Sequence, residues 1–218
     1  MKSIATFLGS IFILFFSSAP AFSQLNWGIK AGINMGDIKV RSESLLVEEQ
    51  YAPLRLWHIG VLGTLDFNTK MGAQFEIIYN QKGGQSPIDL SMSNPLEAFW
   101  QYKFNYISLP VSFQYKVGPI AFEAGPEIGY LFHLKTLKNN VSVDNGHSIF
   151  GQEKIDFAIN VGFRFSVKKI FTEVRWSRSL IPIGVIIYSD VNSQNIGSYK
   201  YYSSALEVSL GYMISSVK

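Results

Sequence analysis

One polar loop contains the first candidates for chemistry in this sequence. His147 lies close to Ser142, Asp144 and Ser148, the residue types of a hydrolytic triad, and together with His133 and Asp144 it offers ligands for a metal ion. A triad needs a base that is held against its nucleophile, and polar loops contain Ser, Asp and His without that arrangement. We therefore predict no catalytic residue, no metal site and no bound cofactor.

Composition excludes several other functional classes. The chain has 218 residues and no cysteine, so it has neither a cysteine nucleophile nor a thiolate metal site. Its net charge is +3 and its largest cationic cluster is Lys168-Lys169, too little for nucleic-acid binding. Aromatic residues make up 15% of the chain, which excludes a disordered protein.

A second set of chemistry-bearing residues consists of acids and bases at alternating positions in apolar segments. Alternation puts them on one face of a strand, and in a small barrel that face fills the interior. Because an unpaired buried charge is costly, we expect ion pairs that fill the lumen rather than an acid–base pair or an ion path. The expected acids are Asp66, Glu76, Glu123, Glu127, Asp156, Glu173 and Glu207, and the bases are Lys30, Lys82, Lys116, Arg164 and Arg175.

Arg164 and Glu173 form the most specific of these predicted pairs. A two-residue turn at Lys168-Lys169 pairs Val167 with Ile170. The same register places Arg164 directly opposite Glu173, with both side chains inward.

Eight stretches in which apolar residues alternate with small or polar ones predict eight strands. They lie at 27–35, 57–67, 73–79, 106–116, 120–132, 155–166, 170–176 and 202–214. Three tight turns alternate with four connections of 18, 20, 19 and 24 residues, at 36–53, 83–102, 134–152 and 178–201. Because alternate connections of an up-and-down barrel share an end, we predict an all-β fold: an eight-stranded antiparallel up-and-down transmembrane β-barrel with four long external loops.

The two faces of the predicted strands distinguish a membrane barrel from a soluble one. A lipocalin-like barrel has the same strand order with its apolar face inside. Low charge content and a polar face of Gly, Ser and Asn favour a narrow lumen with lipid outside. Aromatic residues also gather near the strand ends, as interfacial girdles do. One girdle comprises Trp27, Phe67, Tyr115, Phe165 and Tyr212, and the other Trp57, Tyr79, Phe132, Phe157 and Tyr202.

The first 23 residues predict export from the cytoplasm. Lys2 precedes an apolar run at Ile4–Phe16, and small residues end at Ser23. This pattern is typical of a cleaved secretory signal peptide and is too short for a membrane-spanning helix. We therefore expect a signal peptide at 1–23, a barrel domain at 24–218 and a location in the Gram-negative outer membrane.

The stretch WGIKAGIN (27–34) resembles the first strand of the PorT-type outer-membrane β-barrel proteins of Bacteroidota. Similar segments follow at 57–67, 74–83, 106–115, 122–131 and 157–165, so the resemblance covers nearly all of the mature chain. It implies a porin-like outer-membrane barrel with a role in protein secretion. Many such barrels end on an aromatic residue, whereas here Ser215–Lys218 follow the last predicted strand, so we expect the assembly signal in the region of Tyr212.

The longest predicted loop contains an unusual apolar run. It comprises Leu180, Ile181, Ile183, Val185, Ile186, Ile187 and Tyr188. Loops normally avoid such runs. Either a strand continues above the membrane or the loop folds over the barrel mouth, or else the run forms a contact surface for a partner protein.

These features together predict a monomeric, non-enzymatic barrel in contact with outer-membrane lipid. It would act through its external loops or as part of an envelope or secretion assembly, because the inner turns are too short for a protein interface. The alternatives are a small surface adhesin and a soluble periplasmic lipocalin-like ligand-binding barrel. A passive transporter is disfavoured by a lumen filled with charged pairs.

Overall fold

The computed structural model of the chain describes residues 25–42, 51–86, 99–143, 153–189 and 195–216. The predicted signal peptide and the loop residues Asp144, His147 and Ser148 lie outside these ranges. No described helix is long and apolar enough to cross a membrane. The strands are β1 (Leu25–Ser42), β2 (Ala52–Asp66), β3 (Met71–Gln85), β4 (Trp100–Val117), β5 (Ile120–Lys138), β6 (Val141–Val143), β7 (Ile155–Val167), β8 (Ile170–Ser179), β9 (Gly184–Ser189) and β10 (Asn195–Ser216).

Eight of these strands close into an antiparallel barrel, which confirms the predicted fold class. The order is β1-β2-β3-β4-β5-β7-β8-β10, and β10 pairs with β1 to complete the circle. The two remaining strands are short additions: within the described residues β6 pairs with β5 alone and β9 with β10 alone.

Side chains in the central part of the barrel alternate between the wall and the lumen. On β5, for example, Phe122 is 53% exposed whereas the adjacent Glu123 is 2% exposed. The outward face is aliphatic and aromatic, and the inward face is polar, which is the arrangement of a barrel in lipid. The outward aromatic rings also contact one another across strands: the ring centres of Trp57 and Tyr79 lie 4.7 Å apart, and those of Tyr79 and Phe132 lie 5.8 Å apart.

The two ends of the barrel differ. We call the end with residues 67–70, 118–119 and 168–169 the short-turn rim, and the end with residues 43–51, 86–99, 139–154 and 180–194 the long-loop rim. At the long-loop rim, the strands extend several residues beyond the ends that the sequence predicted. The four connections at this rim are therefore shorter than expected. The reason is visible at Ile38 and Val40, where the inward alternation of β1 continues into the predicted loop.

The strands also differ in length, which gives the long-loop rim an uneven height. A strand needs about 9–11 residues to cross a bilayer. Strands β1, β4, β5 and β10 have 18, 18, 19 and 22 residues, whereas β7 and β8 have 13 and 10. Most of the rim is therefore a tall wall. It has a low section at β7 and β8, with β6 on one side and β9 on the other.

We expect the long-loop rim to face the cell exterior, because membrane barrels place their longer loops there. An epitope tag inserted at Asn94 should bind antibody on intact cells. The same tag between Lys168 and Lys169 should bind only after the outer membrane is permeabilised. The opposite pattern of labelling would show that the barrel is inverted.

Candidate functional site

Six charged side chains meet in the middle of the lumen. They come from five strands and occupy inward positions of the alternation, and each is at most 5% exposed. Three are cations and three are carboxylates, so their formal charges balance. We call this set the central charge cluster: Lys30, Glu76, Glu123, Arg164, Glu173 and Arg175.

Glu173 contacts all three cations of the cluster. Its Oε1 atom lies 2.6 Å from Lys30 Nζ and 2.8 Å from Arg175 Nη2. Its Oε2 atom lies 2.6 Å from Arg164 Nη2, and the β7–β8 register places Arg164 directly opposite Glu173. A carboxylate shared in this way couples three strands of the barrel, because Lys30 reaches it across the lumen from β1.

The other two carboxylates complete the network. Glu76 contacts Lys30 at 2.7 Å and also pairs with Arg175. Glu123 lies 3.4 Å from Arg164 and 3.5 Å from Arg175, and accepts a hydrogen bond of 2.9 Å from the Gln114 side chain. Oxygens of the three carboxylates lie within 4.8 Å of one another, a spacing that could hold a metal ion. Each of them already contacts an ammonium or guanidinium group, however, so these cations supply the charge that a metal would bring.

A second group of acids lies nearer the long-loop rim. Lys82 Nζ is 2.9 Å from Glu127 and 3.5 Å from Asp156. Glu207 accepts a hydrogen bond of 2.8 Å from Asn80. At the opposite end, Lys116 and Asp66 pair at 2.5 Å beside a cavity of about 410 Å³ at the short-turn rim.

His58 belongs to a hydrogen-bonded layer of the lumen. Its Nδ1 atom lies 2.5 Å from Asn34 Oδ1 and its Nε2 atom 2.8 Å from Ser209 Oγ. Gly32 lies directly opposite, where a Cβ atom would come within 2.6 Å of the imidazole ring. A serine, a histidine and an orienting amide could form a nucleophilic set. All three are at most 3% exposed and packed inside the lumen, so this layer offers no cleft for a substrate.

Buried apolar side chains pack together at the long-loop rim. They belong to the extended parts of the strands and to the segment before β9, and each is at most 5% exposed. Tyr51 packs beside them, with its ring centre 6.4 Å from that of Tyr102 and 6.2 Å from that of Tyr201. We call this set the outer apolar cluster: Ile38, Phe104, Tyr106, Leu131, Ile183 and Tyr201.

The predicted apolar run divides between this cluster and the surface. Ile183 is 4% exposed within the outer apolar cluster, and Ile186 packs against it. Ile181 is half-buried. By contrast, Leu180, Val185 and Ile187 are 63%, 44% and 61% exposed. The backbone of Tyr188 lies in β9. Ile183 and Ile186 therefore belong to the packed interior of the long-loop rim, whereas Leu180, Val185 and Ile187 are exposed, and partner contact by these residues stays a prediction.

Sequence reasoning missed the outer apolar cluster because its members lie in segments assigned to loops or to the polar face. Tyr106 lies among the polar alternating positions of the predicted strand at 106–116, and Phe104 lies between that strand and the predicted connection at 83–102. A signal was present: Tyr102, Phe104 and Tyr106 are spaced two apart, as inward residues of one strand must be.

We expect Glu173→Ala to lower the free energy of unfolding by about 3–5 kcal/mol, because it leaves three buried cations with two carboxylates. Adding Arg164→Ala restores the balance of charges. The double variant should therefore lose less stability than the sum of the two single variants. The measurement is denaturant unfolding in lipid vesicles, followed by tryptophan fluorescence.

The control for this prediction is the exposed Glu153, outside the lumen. Glu153→Ala should change the free energy of unfolding by less than about 0.5 kcal/mol. Additive effects of Glu173→Ala and Arg164→Ala would show that the two residues do not stabilise each other.

Solved structures with similar architecture are bacterial surface barrels of low sequence identity. Neisserial surface protein A is 10% identical, with 86% of this chain and 97% of that chain covered and a TM-score of 0.46. OprG from Pseudomonas aeruginosa is 12% identical, with 87% and 95% covered and a TM-score of 0.45. Ail, the attachment invasion locus protein of Yersinia pestis, is 11% identical, with 86% and 98% covered and a TM-score of 0.39. No curated protein sequence matches the chain.

The sequence comparison gives the family. Residues 16–184 match the family described as outer membrane protein beta-barrel domain. The match covers well over half of the chain, including most of the barrel strands. The chain therefore belongs to the outer membrane protein beta-barrel domain family, whose place is the bacterial outer membrane.

Proposed function

We propose that this protein is a non-conducting, non-enzymatic outer-membrane barrel that acts through contacts at its long-loop rim. The observation that carries this proposal is the closure of the lumen at two levels. The central charge cluster fills the middle of the barrel with six side chains of balanced charge. The outer apolar cluster closes the end above it.

A closed lumen leaves the surfaces of the barrel as places of action. The outward wall is apolar and meets lipid, and the short-turn rim offers few residues. The long-loop rim combines tall strand extensions with the four long connections. A protein interface needs roughly 20–30 residues on each side, and this rim can supply them.

Strand β9 is the part of the rim that we assign to partner contact. It is a short edge strand beside the low section of the wall, and within the described residues it pairs with β10 alone. Its exposed Val185 and Ile187 point away from the outer apolar cluster, which holds Ile183. An edge strand with apolar side chains can accept an added strand from a partner.

We further propose that the partner is a protein of the cell envelope, within a secretion assembly. The resemblance to PorT-type barrels at 27–34 and 157–165 supports this role, and the export segment at 1–23 supports delivery to the envelope. We propose that the barrel itself is monomeric, because its apolar wall is occupied by lipid.

The purified protein should not conduct ions when reconstituted into planar bilayers. Removing the upper closure with Phe104→Ala and Tyr201→Ala should leave the conductance at the baseline, because the central charge cluster still fills the lumen. Single-channel recording is the measurement. Defined current steps in the parent protein would contradict the proposal that the lumen is closed.

Val185→Ser with Ile187→Ser should reduce partner capture at least tenfold, because two exposed apolar contacts are lost. Capture is measured by crosslinking on intact cells followed by purification of the barrel. Fold retention is checked by the faster gel migration of unboiled protein. This variant is preferred to replacement of the whole run, because Ile183 belongs to the outer apolar cluster.

The matched control is Val167→Ser with Ile170→Ser, an equally exposed apolar pair at the short-turn rim. This control should retain the parent's level of crosslinking. Equal losses in both variants would refute a role for β9. If β9 is needed instead for binding to other cells or to matrix, and no envelope protein is crosslinked, the barrel is an adhesin.

A further inference from the structure

Two lysines face each other on the outward side of β4 and β5. The register pairs Lys103 directly with Lys135, next to the pair Asn105 and His133. Lys135 and His133 are exposed, and Lys103 is half-buried. Like charges directly opposite each other on neighbouring strands destabilise a sheet. A pair of this kind is stabilised when an anion lies between the two ammonium groups.

No carboxylate among the residues that the structure describes fills this role. Within the described residues, neither lysine has a carboxylate oxygen within 4.0 Å. Some other lysines outside the central charge cluster do have such a partner, since Lys39 pairs with Asp37 and Lys116 pairs with Asp66, each at 2.5 Å. Lys103 and Lys135 are therefore two adjacent cations without a carboxylate partner among the described residues, and an anion from outside these residues can lie between them.

The position of the pair relative to the membrane indicates what that counterion is. Tyr79 donates a hydrogen bond of 2.7 Å to Asn105, at the upper edge of the aromatic girdle. Lys103 lies two residues beyond Asn105, which is about 7 Å along the strand. The headgroup layer of a bilayer extends roughly 5–7 Å beyond the hydrocarbon core. The two ammonium groups therefore lie at the height of lipid headgroups, on the wall rather than in the lumen.

The wall directly below the pair fits acyl chains. Ile107, Leu109, Tyr130 and Phe132 are each 40–50% exposed on the outward faces of β4 and β5. A single lipid can therefore place its chains against these residues and a phosphate between the lysines above them. A soluble polyanion would contact the lysines without using this apolar surface.

We propose that Lys103 and Lys135 bind a phosphate group of an anionic glycolipid in the outer leaflet of the outer membrane. The proposal rests on the outward orientation of the long-loop rim that the proposed function assigns. It does not depend on the partner contact at β9. The lysines supply charge to the phosphate, and the Asn105 side chain fixes the strand edge beneath them by donating a hydrogen bond of 3.1 Å to the His133 carbonyl.

The test uses the full barrel in detergent micelles, titrated with diphosphorylated lipid A and followed by native mass spectrometry. Lys103→Gln with Lys135→Gln should weaken lipid binding by roughly thirtyfold, since each lysine near an anionic headgroup raises the binding constant by a factor of about five to six. Lys103→Arg with Lys135→Arg should retain binding, because the charge is kept. Dephosphorylated lipid A should bind the parent protein and the glutamine variant with the same weak affinity, because it has no phosphate for the lysines to bind.

Matched controls separate this site from general charge effects. Lys168→Gln with Lys169→Gln removes two lysines from the short-turn rim and should leave lipid A binding unchanged. An equal loss in that variant, or equal binding of the dephosphorylated lipid to the parent, would overturn the proposal. So would full competition by inorganic phosphate, which lacks acyl chains. The tag experiment tests the orientation of the barrel separately, since binding in micelles does not depend on it.

Discussion

The balance of charge inside the lumen is the constraint on which the rest of this barrel depends. Six ionic side chains are removed from water at the centre, and they are tolerated because three cations meet three carboxylates at short distances. Each of the five contributing strands must therefore present its charge at one height and on one face. A shift of one residue in any register would turn that charge toward lipid, where it costs several kcal/mol. The ion pairs thus specify the register of the five strands that contribute to the cluster.

The ion pairs in the lumen also underlie the function that we propose. An eight-stranded barrel is just wide enough for its own side chains, and here they fill it. At the long-loop rim, four strands continue beyond the length that a membrane requires, namely β1, β4, β5 and β10. The wall they form is closed inside by aromatic and aliphatic residues. We propose that its upper edge and its outer face make the contacts with proteins and lipids.

Much of this architecture could be predicted from the sequence, because alternation with a period of two is a local property. The eight barrel strands and the opposition of Arg164 and Glu173 across a two-residue turn are both read from neighbouring positions. Contacts across the lumen are not local. Lys30 meets Glu173 at a separation of 143 residues, and only the closed barrel brings them together. The sequence pattern did not predict strand β9 either, because the pairing of β9 with β10 depends on how far β10 extends beyond the membrane.

The pairing of β1 with β10 has a kinetic consequence. These strands join positions 26–42 to positions 199–216, close to the two ends of the barrel domain. The β1–β10 pairing therefore forms only after the last strand is present. Until then, the edges and apolar faces of the earlier strands are exposed. Such contacts between distant parts of a chain form slowly and expose the chain to aggregation. The chain must be kept apart from its neighbours by other factors until its final strand arrives, and closure then completes the sheet and the charge network in one step.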